Sequence, residues 1–185
     1  MEVRILTKTE VCGVYEEHMV RDFVENERKP LKLLLDMMDA GLYDPLGYFE
    51  NGDFVGYTFL QKHDNNYLLD YFATVPEKRN GGIGSEILPT LRERSRDMSG
   101  LILEVEDPDK ADGEEKALQD RRLNFYLRNG VVDSGVKVTT FHVPYRLLEI
   151  PLGREHTAAE VRDLYERFYL SYLGEENFRK KVIFD

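Results

Sequence analysis

The spacing of hydrophobic positions changes along the chain, and each change marks an element. Val3–Leu6 reads as a short strand. Thr7-Lys8-Thr9-Glu10 has the form of a capping box, in which hydroxyl and carboxylate satisfy each other's unpaired amides. Behind it Val11, Val14, Tyr15, Met19 and Phe23 recur at helical spacing. Asn26-Glu27-Arg28-Lys29-Pro30 breaks that helix. Pro30 then opens a second helix, with Leu31, Leu34, Leu35 and Met38 on one face. Gly41 and Pro45 end it.

The pattern next shifts to alternation. Leu46–Glu50 and Asp53–Gln61 flank Asn51-Gly52, the pair favoured by a type I′ turn, which predicts a hairpin. His63-Asp64-Asn65-Asn66 is a second turn, and Tyr67–Val75 is the third strand of a meander. Helical spacing returns at Ile83, Ile87, Leu88 and Leu91, with a kink expected at Pro89. Leu101–Glu106 is a strand, expected to run parallel to residues 67–75. Asp107–Glu115 reads as an acidic loop and Lys116–Arg128 as a helix stopped by Asn129-Gly130. Val136–His142 and Tyr145–Leu152 read as strands joined at a Val143-Pro144 corner. Thr157-Ala158-Ala159-Glu160 is another capping box, opening a helix with Val161, Leu164, Phe168 and Tyr172 on one face. Lys181–Phe184 reads as a last short strand. The order predicts one α/β domain on a mixed sheet, with a single βαβ crossover over residues 67–106.

The candidate chemistry sits in that crossover. Between strand and helix lies Pro76-Glu77-Lys78-Arg79-Asn80-Gly81-Gly82-Ile83-Gly84-Ser85. A glycine-rich turn that opens a helix presents free N–H groups at the positive end of the helix dipole, which suits a phosphate. Gly84-Ser85-Glu86 lacks the lysine of a P-loop. Neither the G-x-G-x-x-G spacing nor the repeated βαβ array of a dinucleotide fold is present.

Composition narrows the rest. The 185 residues carry a net charge of −10, which argues against nucleic-acid binding and weakly favours a cationic substrate. Hydrophobic residues at 42% and charged residues at 32% fit an ordinary folded domain. Cys12 is the only cysteine, so no internal disulfide forms. No apolar run is long enough for a bilayer and no signal-peptide pattern is seen, so a cytoplasmic protein is expected. The histidines at 18, 63, 142 and 156 lack metal-ligand spacing, and no metal is expected.

The turn Arg79-Asn80-Gly81-Gly82-Ile83-Gly84, following the strand Phe72-Ala73-Thr74-Val75, matches Arg/Gln-x-x-Gly-x-Gly/Ala, the fingerprint of the GNAT N-acetyltransferases. Tyr126-Leu127-Arg128-Asn129-Gly130 matches that family's Tyr four residues before a Gly. With the element order, the chain resembles this family over roughly residues 1–152. The resemblance implies an acyl-CoA N-acyltransferase fold with a mixed, mostly antiparallel sheet. It makes residues 1–152 the acetyltransferase domain and 153–185 a C-terminal helical extension packed on it.

The resemblance also implies acetyl-CoA as co-substrate and direct attack of a primary amine through a tetrahedral intermediate. Amides of Arg79, Asn80, Gly81, Gly82, Ile83, Gly84 and Ser85 would hold its diphosphate, with charge added by Lys78 or Arg79. The strands at 67–75 and 101–106 would splay, and backbone groups of Ala73, Thr74 and Val75 would pair with pantetheine. The Val75 amide would serve as oxyanion donor and Tyr126 as the acid. The base would be Glu104, in a Leu-Glu-Val segment like that of ribosomal-protein acetyltransferases, or Asp70. Gln119 stands where an Asn commonly contacts CoA, and Arg122 is placed for a phosphate or for solvent. Tyr15, His18, Met37, Met38, Tyr43, Tyr48 and Tyr145 lie where acceptor specificity arises, and His142 lies nearby. With the acidic loop these point to a small amine, a protein amine remaining open, as does a homodimer. The alternatives are a non-catalytic acyl-CoA-binding regulator or an interaction protein that keeps only the fold.

Overall fold

In this computed structural model all residues from 1 to 185 are described, apart from the side chains of Asn26 and Tyr172. The expected place of Tyr172 on an apolar helix face therefore lies outside the described residues. Contacts divide the chain into residues 1–62 with 69–93, the first unit, and residues 63–68 with 94–185, the second.

The first unit begins as its pattern requires. Strand β1 (Glu2–Ile5) leads to Thr7, whose hydroxyl accepts from the Glu10 amide at 3.3 Å while the Glu10 carboxylate accepts from the Thr7 amide at 2.8 Å. Helix α1 (Lys8–Val14) passes into a π turn over Tyr15–Met19 and ends in α2 (Val20–Asp22). The π turn inserts one residue, so Val14 and Met19, five apart, are both buried. Helix α3 (Leu31–Asp39) buries Leu34. Strands β2 (Tyr43–Glu50) and β3 (Asp53–His63) meet at Asn51 and Gly52, with φ of 51° and 89°, the left-handed pair of a type I′ turn. Strand β2 starts before the predicted Leu46 and takes in Pro45, which lies just past the end of β1.

Strand β1 pairs antiparallel with β2, and β2 with β3; β4 (Asn66–Thr74) follows in the order β1-β2-β3-β4. Helix α4 (Ile83–Arg94) buries Ile83, Ile87, Leu88 and Leu91, the predicted stripe. It packs close because residue 56 is glycine: a Cβ there would lie 2.8 Å from the Ala73 carbonyl and 2.9 Å from Ile87 Cδ1. Pro89 lies on the exposed side of α4, and the helix continues through it. The core of this unit is aromatic, with Tyr43–Phe59 and Phe59–Tyr71 in edge-on contact.

In the second unit β5 (Gly100–Glu106), α5 (Gly113–Arg128), β6 (Val132–Thr140), β7 (Val143–Glu149), α6 (Ala158–Lys181) and β8 (Val182–Phe184) follow in order. The strands run β5-β7-β6-β8, all antiparallel. Helix α6 supplies Val161, Leu164, Tyr165 and Phe168 to a core shared with Leu68, Ile102, Val138 and Leu147. Its capping box at Thr157 forms as predicted, and Gly174, with φ of 70°, breaks it.

Two expectations change here. The β6–β7 turn is Phe141-His142, with φ of 51° and 72°, not Val143-Pro144. Left-handed positions filled by Phe and His give no turn signal, whereas Pro144 gives a false one: it sits in the ladder opposite Thr139. Helix α5 starts at Gly113 rather than Lys116, so Glu114 and Glu115 lie in its first turn, where the dipole favours acids. Among the described residues no helix is long and apolar enough to cross a membrane.

Candidate active site

Strand β4 ends at Thr74, and a short 3-10 turn over Pro76–Lys78 leads into the glycine segment. Asn80 and Gly82 take φ of 62° and 89°, which bends the chain back into α4. The first helical bonds go to Gly82, whose carbonyl accepts from the Ser85 amide at 2.8 Å and from the Glu86 amide at 3.2 Å. The amides of Ile83 and Gly84, in the first turn, have no acceptor within the helix. A Cβ on Gly82 would meet nothing within 4 Å, so this part of the turn is open to a ligand. Free first-turn amides and the positive end of a helix dipole are features that favour an anion.

The flanking strand corrects one expected role. The Val75 amide donates to the Val55 carbonyl at 3.0 Å, so it is used in the ladder and is not an oxyanion donor. Backbone direction alternates along a strand, which turns Thr74 N–H away from β3 and leaves Ala73 facing it. The Ala73 carbonyl beside Gly56 agrees.

Arg79, expected at the phosphate, points elsewhere. Its Nη2 donates to Asp22 Oδ1 at 2.7 Å and its Nε to the Thr74 carbonyl at 3.3 Å. Lys78 lies 3.8 Å from Glu50. Asp70 is an anchor: Lys29 Nζ donates to its two oxygens at 2.6 and 2.7 Å, and the Tyr43 hydroxyl donates to it as well. With the Lys29 amide on Tyr71 Oη at 2.7 Å, this pins the segment before α3 to β4. Burial first, then Asp70, raises the Tyr43 phenol well above its usual range.

The second unit carries the other candidates. Glu104, on β5, accepts from the hydroxyls of Tyr165 and of Tyr169, the latter at 2.9 Å. Tyr165 also shares a 2.6 Å hydrogen bond with Thr140 Oγ1. Burial, reinforced by Glu104, pushes the Tyr165 phenol well up. Sequence reading missed both tyrosines; their one signal is a four-residue spacing on the predicted helix. Tyr126, on α5, is buried, and burial raises its phenol to about 12 although Arg122 lowers it. About two turns earlier on the same helix, Gln119 donates Nε2 to Glu115 at 3.1 Å. Its Oε1 is buried and has no hydrogen-bond partner among the described residues, an acceptor that an amide N–H of pantetheine would satisfy.

The remaining cues change. Arg122 is paired with Glu106 rather than placed for a phosphate. Two carboxylates of the acidic loop, Asp107 and Asp109, face cations of the same unit. Arg146 donates to Asp107, Asp109 and Asp133 at 2.7, 2.5 and 3.1 Å, and Lys137 lies 2.9 and 3.0 Å from Asp107 and Asp109. Burial acts to raise Asp107, but the bonds from Arg146 and Lys137 outweigh it and leave the carboxyl lowered. Tyr43 and Tyr48 are core residues. Tyr15 donates to the Lys29 carbonyl at 3.2 Å, and His142 is exposed at its turn. His156 lies 2.5 Å from Glu149, and among the described residues no His, Cys, Asp and Glu side chains group as a metal site.

Comparison with known proteins agrees with the turn. The profile described as the acetyltransferase (GNAT) family matches residues 12–113, more than half of the chain. No curated protein sequence matches. A GNAT-family protein from Bacteroides thetaiotaomicron has a similar structure, at a TM-score of 0.71 and 24% identity over 95% of this chain and 99% of its own. The ribosomal-protein-alanine N-acetyltransferase of Brucella melitensis is similar at 0.57 and 16%, over 81% and 99%. The Salmonella typhimurium protein yncA, solved with its cofactor acetyl-CoA, is similar at 0.58 and 14%, over 85% and 96%. At these identities the likeness is one of fold, and the matched profile, which spans strand, turn and α4, adds the family: the chain belongs to the GNAT acetyltransferases.

Proposed function

We propose that this acetyltransferase moves an acetyl group from acetyl-CoA to the primary amine of a small molecule. The observation that carries the reading is the open turn at Gly82, with the first-turn amides of α4 beside it. Acetyl-CoA supplies an activated thioester; the protein supplies position and proton control. The amides of residues 80–85 hold the diphosphate, and Gln119 Oε1 accepts from pantetheine. Thr74 N–H, turned away from β3, stabilises negative charge growing on the thioester oxygen. Glu104 takes the proton of the attacking amine. Tyr126, kept protonated by burial, donates to the departing sulfur at neutral pH. The net charge of −10 favours approach of a cationic amine.

A panel of polyamines, amino acids, aminoglycosides and peptide N-termini, read by released CoA thiol, tests this. Release is expected with at least one small amine. Release with peptides alone would overturn the acceptor class. Acetyl-CoA binding without release from any amine would favour the non-catalytic regulator.

A further inference from the structure

Asp22 is a buried carboxylate outside the expected catalytic set, and it gathers charge at the base of the glycine turn. Its side chain is 3% exposed. Arg21 donates to it through Nε and Nη2 at 3.1 and 3.3 Å, the Tyr57 hydroxyl at 3.0 Å, and Arg79 Nη2 at 2.7 Å. Burial, then Asp22, raises the Tyr57 phenol well above its usual range. The π turn at Tyr15–Met19 adds the residue that brings Asp22, three past the buried Met19, onto the inward face. Arg79 is thus a brace. One end of its guanidinium is fixed by Asp22, the last residue of α2, and the other by the carbonyl of Thr74, the last residue of β4. Residue 80, where the left-handed bend begins, comes directly after the brace.

We propose that Asp22 is a positioning residue for the cofactor turn: through Arg79 it fixes the backbone so that the amides of residues 80–85 converge on one anion. This rests on the reading of the turn as the acetyl-CoA diphosphate site. The role makes a prediction of sign. Two guanidinium groups and one carboxylate carry a net single positive charge. Asp22→Asn raises it, so simple electrostatics predicts tighter binding of an anion, with a steeper salt dependence. A brace predicts weaker binding, because the amides lose their alignment.

Calorimetric titration of the full chain with acetyl-CoA separates these outcomes. Wild type is expected to bind. Asp22→Asn should raise the Kd about tenfold, as should Arg79→Gln, and the double variant should be no weaker than either single one, since all three break one brace. Arg79→Lys should not rescue, because an ammonium cannot span both acceptors. Acetyl transfer at saturating acetyl-CoA should stay near wild type, so the change appears in KM and not in kcat. Unchanged or tighter binding by Asp22→Asn, or losses that add in the double variant, would overturn the proposal. If Asp22→Asn does not fold, Arg79→Gln decides, since that side chain is half-exposed: an unchanged Kd would overturn it. A wild type that does not bind acetyl-CoA would instead remove the turn's assignment, and the brace's purpose with it.

Discussion

Asp70 and Glu104 are both strand carboxylates, and by sequence either could be the base. Their partners separate them. Asp70 is held by an ammonium on both oxygens and by the Tyr43 hydroxyl. Glu104 is held by the phenols of Tyr165 and Tyr169. An ammonium at 2.6 Å neutralises a carboxylate and uses it as an anchor. Two phenols orient the Glu104 carboxylate through hydrogen bonds. The partners that distinguish the two carboxylates are distant in sequence: Lys29 is 41 residues from Asp70, and Tyr165 is 61 from Glu104.

The largest expected effect bears on the anchor. Asp70→Asn removes the carboxylate that the largely buried Lys29 ammonium faces and should cost about 3–5 kcal/mol in denaturant melts. Turnover per folded molecule should persist; a stable Asp70→Asn variant would break the contrast. Next comes Tyr126, the proposed acid. Tyr126→Phe should lower kcat by about 10²-fold with little change in acetyl-CoA binding, and an unchanged kcat would remove Tyr126 from the chemistry. Gly82→Ala should strain a residue at φ of 89° by about 1–3 kcal/mol. The strain should appear as weaker acetyl-CoA binding in titration, while the melt of the second unit holds.

Tyr169→Phe removes one hydrogen bond from Glu104 and should cost about 1 kcal/mol of stability. If Glu104 is merely structural, the pH dependence of kcat will not move; the proposed role predicts that its acid limb shifts. Asp107 extends the comparison to a third carboxylate, again held by cations. Its folded pKa is lowered, so its contribution to stability is present above the unfolded value of about 3.9 and is lost as pH falls through the lower folded value. Thermal melts should therefore be flat in this term near neutrality and fall below about pH 4, and Arg146→Ala should flatten that fall.

Much of the scaffold was legible. Capping boxes at Thr7 and Thr157, the Asn51-Gly52 hairpin and the α4 stripe act within a few residues of one another, so local pattern suffices. The Phe141-His142 turn was hidden because its left-handed residues are not the ones that prefer that geometry. The shape of the glycine turn was legible because glycine and asparagine are the residues that take its left-handed positions. The side-chain part of the site was not: nothing near Arg79 reveals Asp22, 57 residues away. The pairing of Asp107 and Asp109 was hidden for the same reason, since Lys137 and Arg146 come from other strands.

The central claim is tested most directly by comparing Glu104→Gln with Asp70→Asn in single-turnover acetyl transfer at saturating acetyl-CoA, normalised to folded protein. The account predicts a rate lower by about 10²- to 10⁴-fold for Glu104→Gln, with acetyl-CoA binding retained, and a near wild-type rate for Asp70→Asn. A Glu104→Gln enzyme that keeps its rate, or a folded Asp70→Asn enzyme that loses it, would contradict the account.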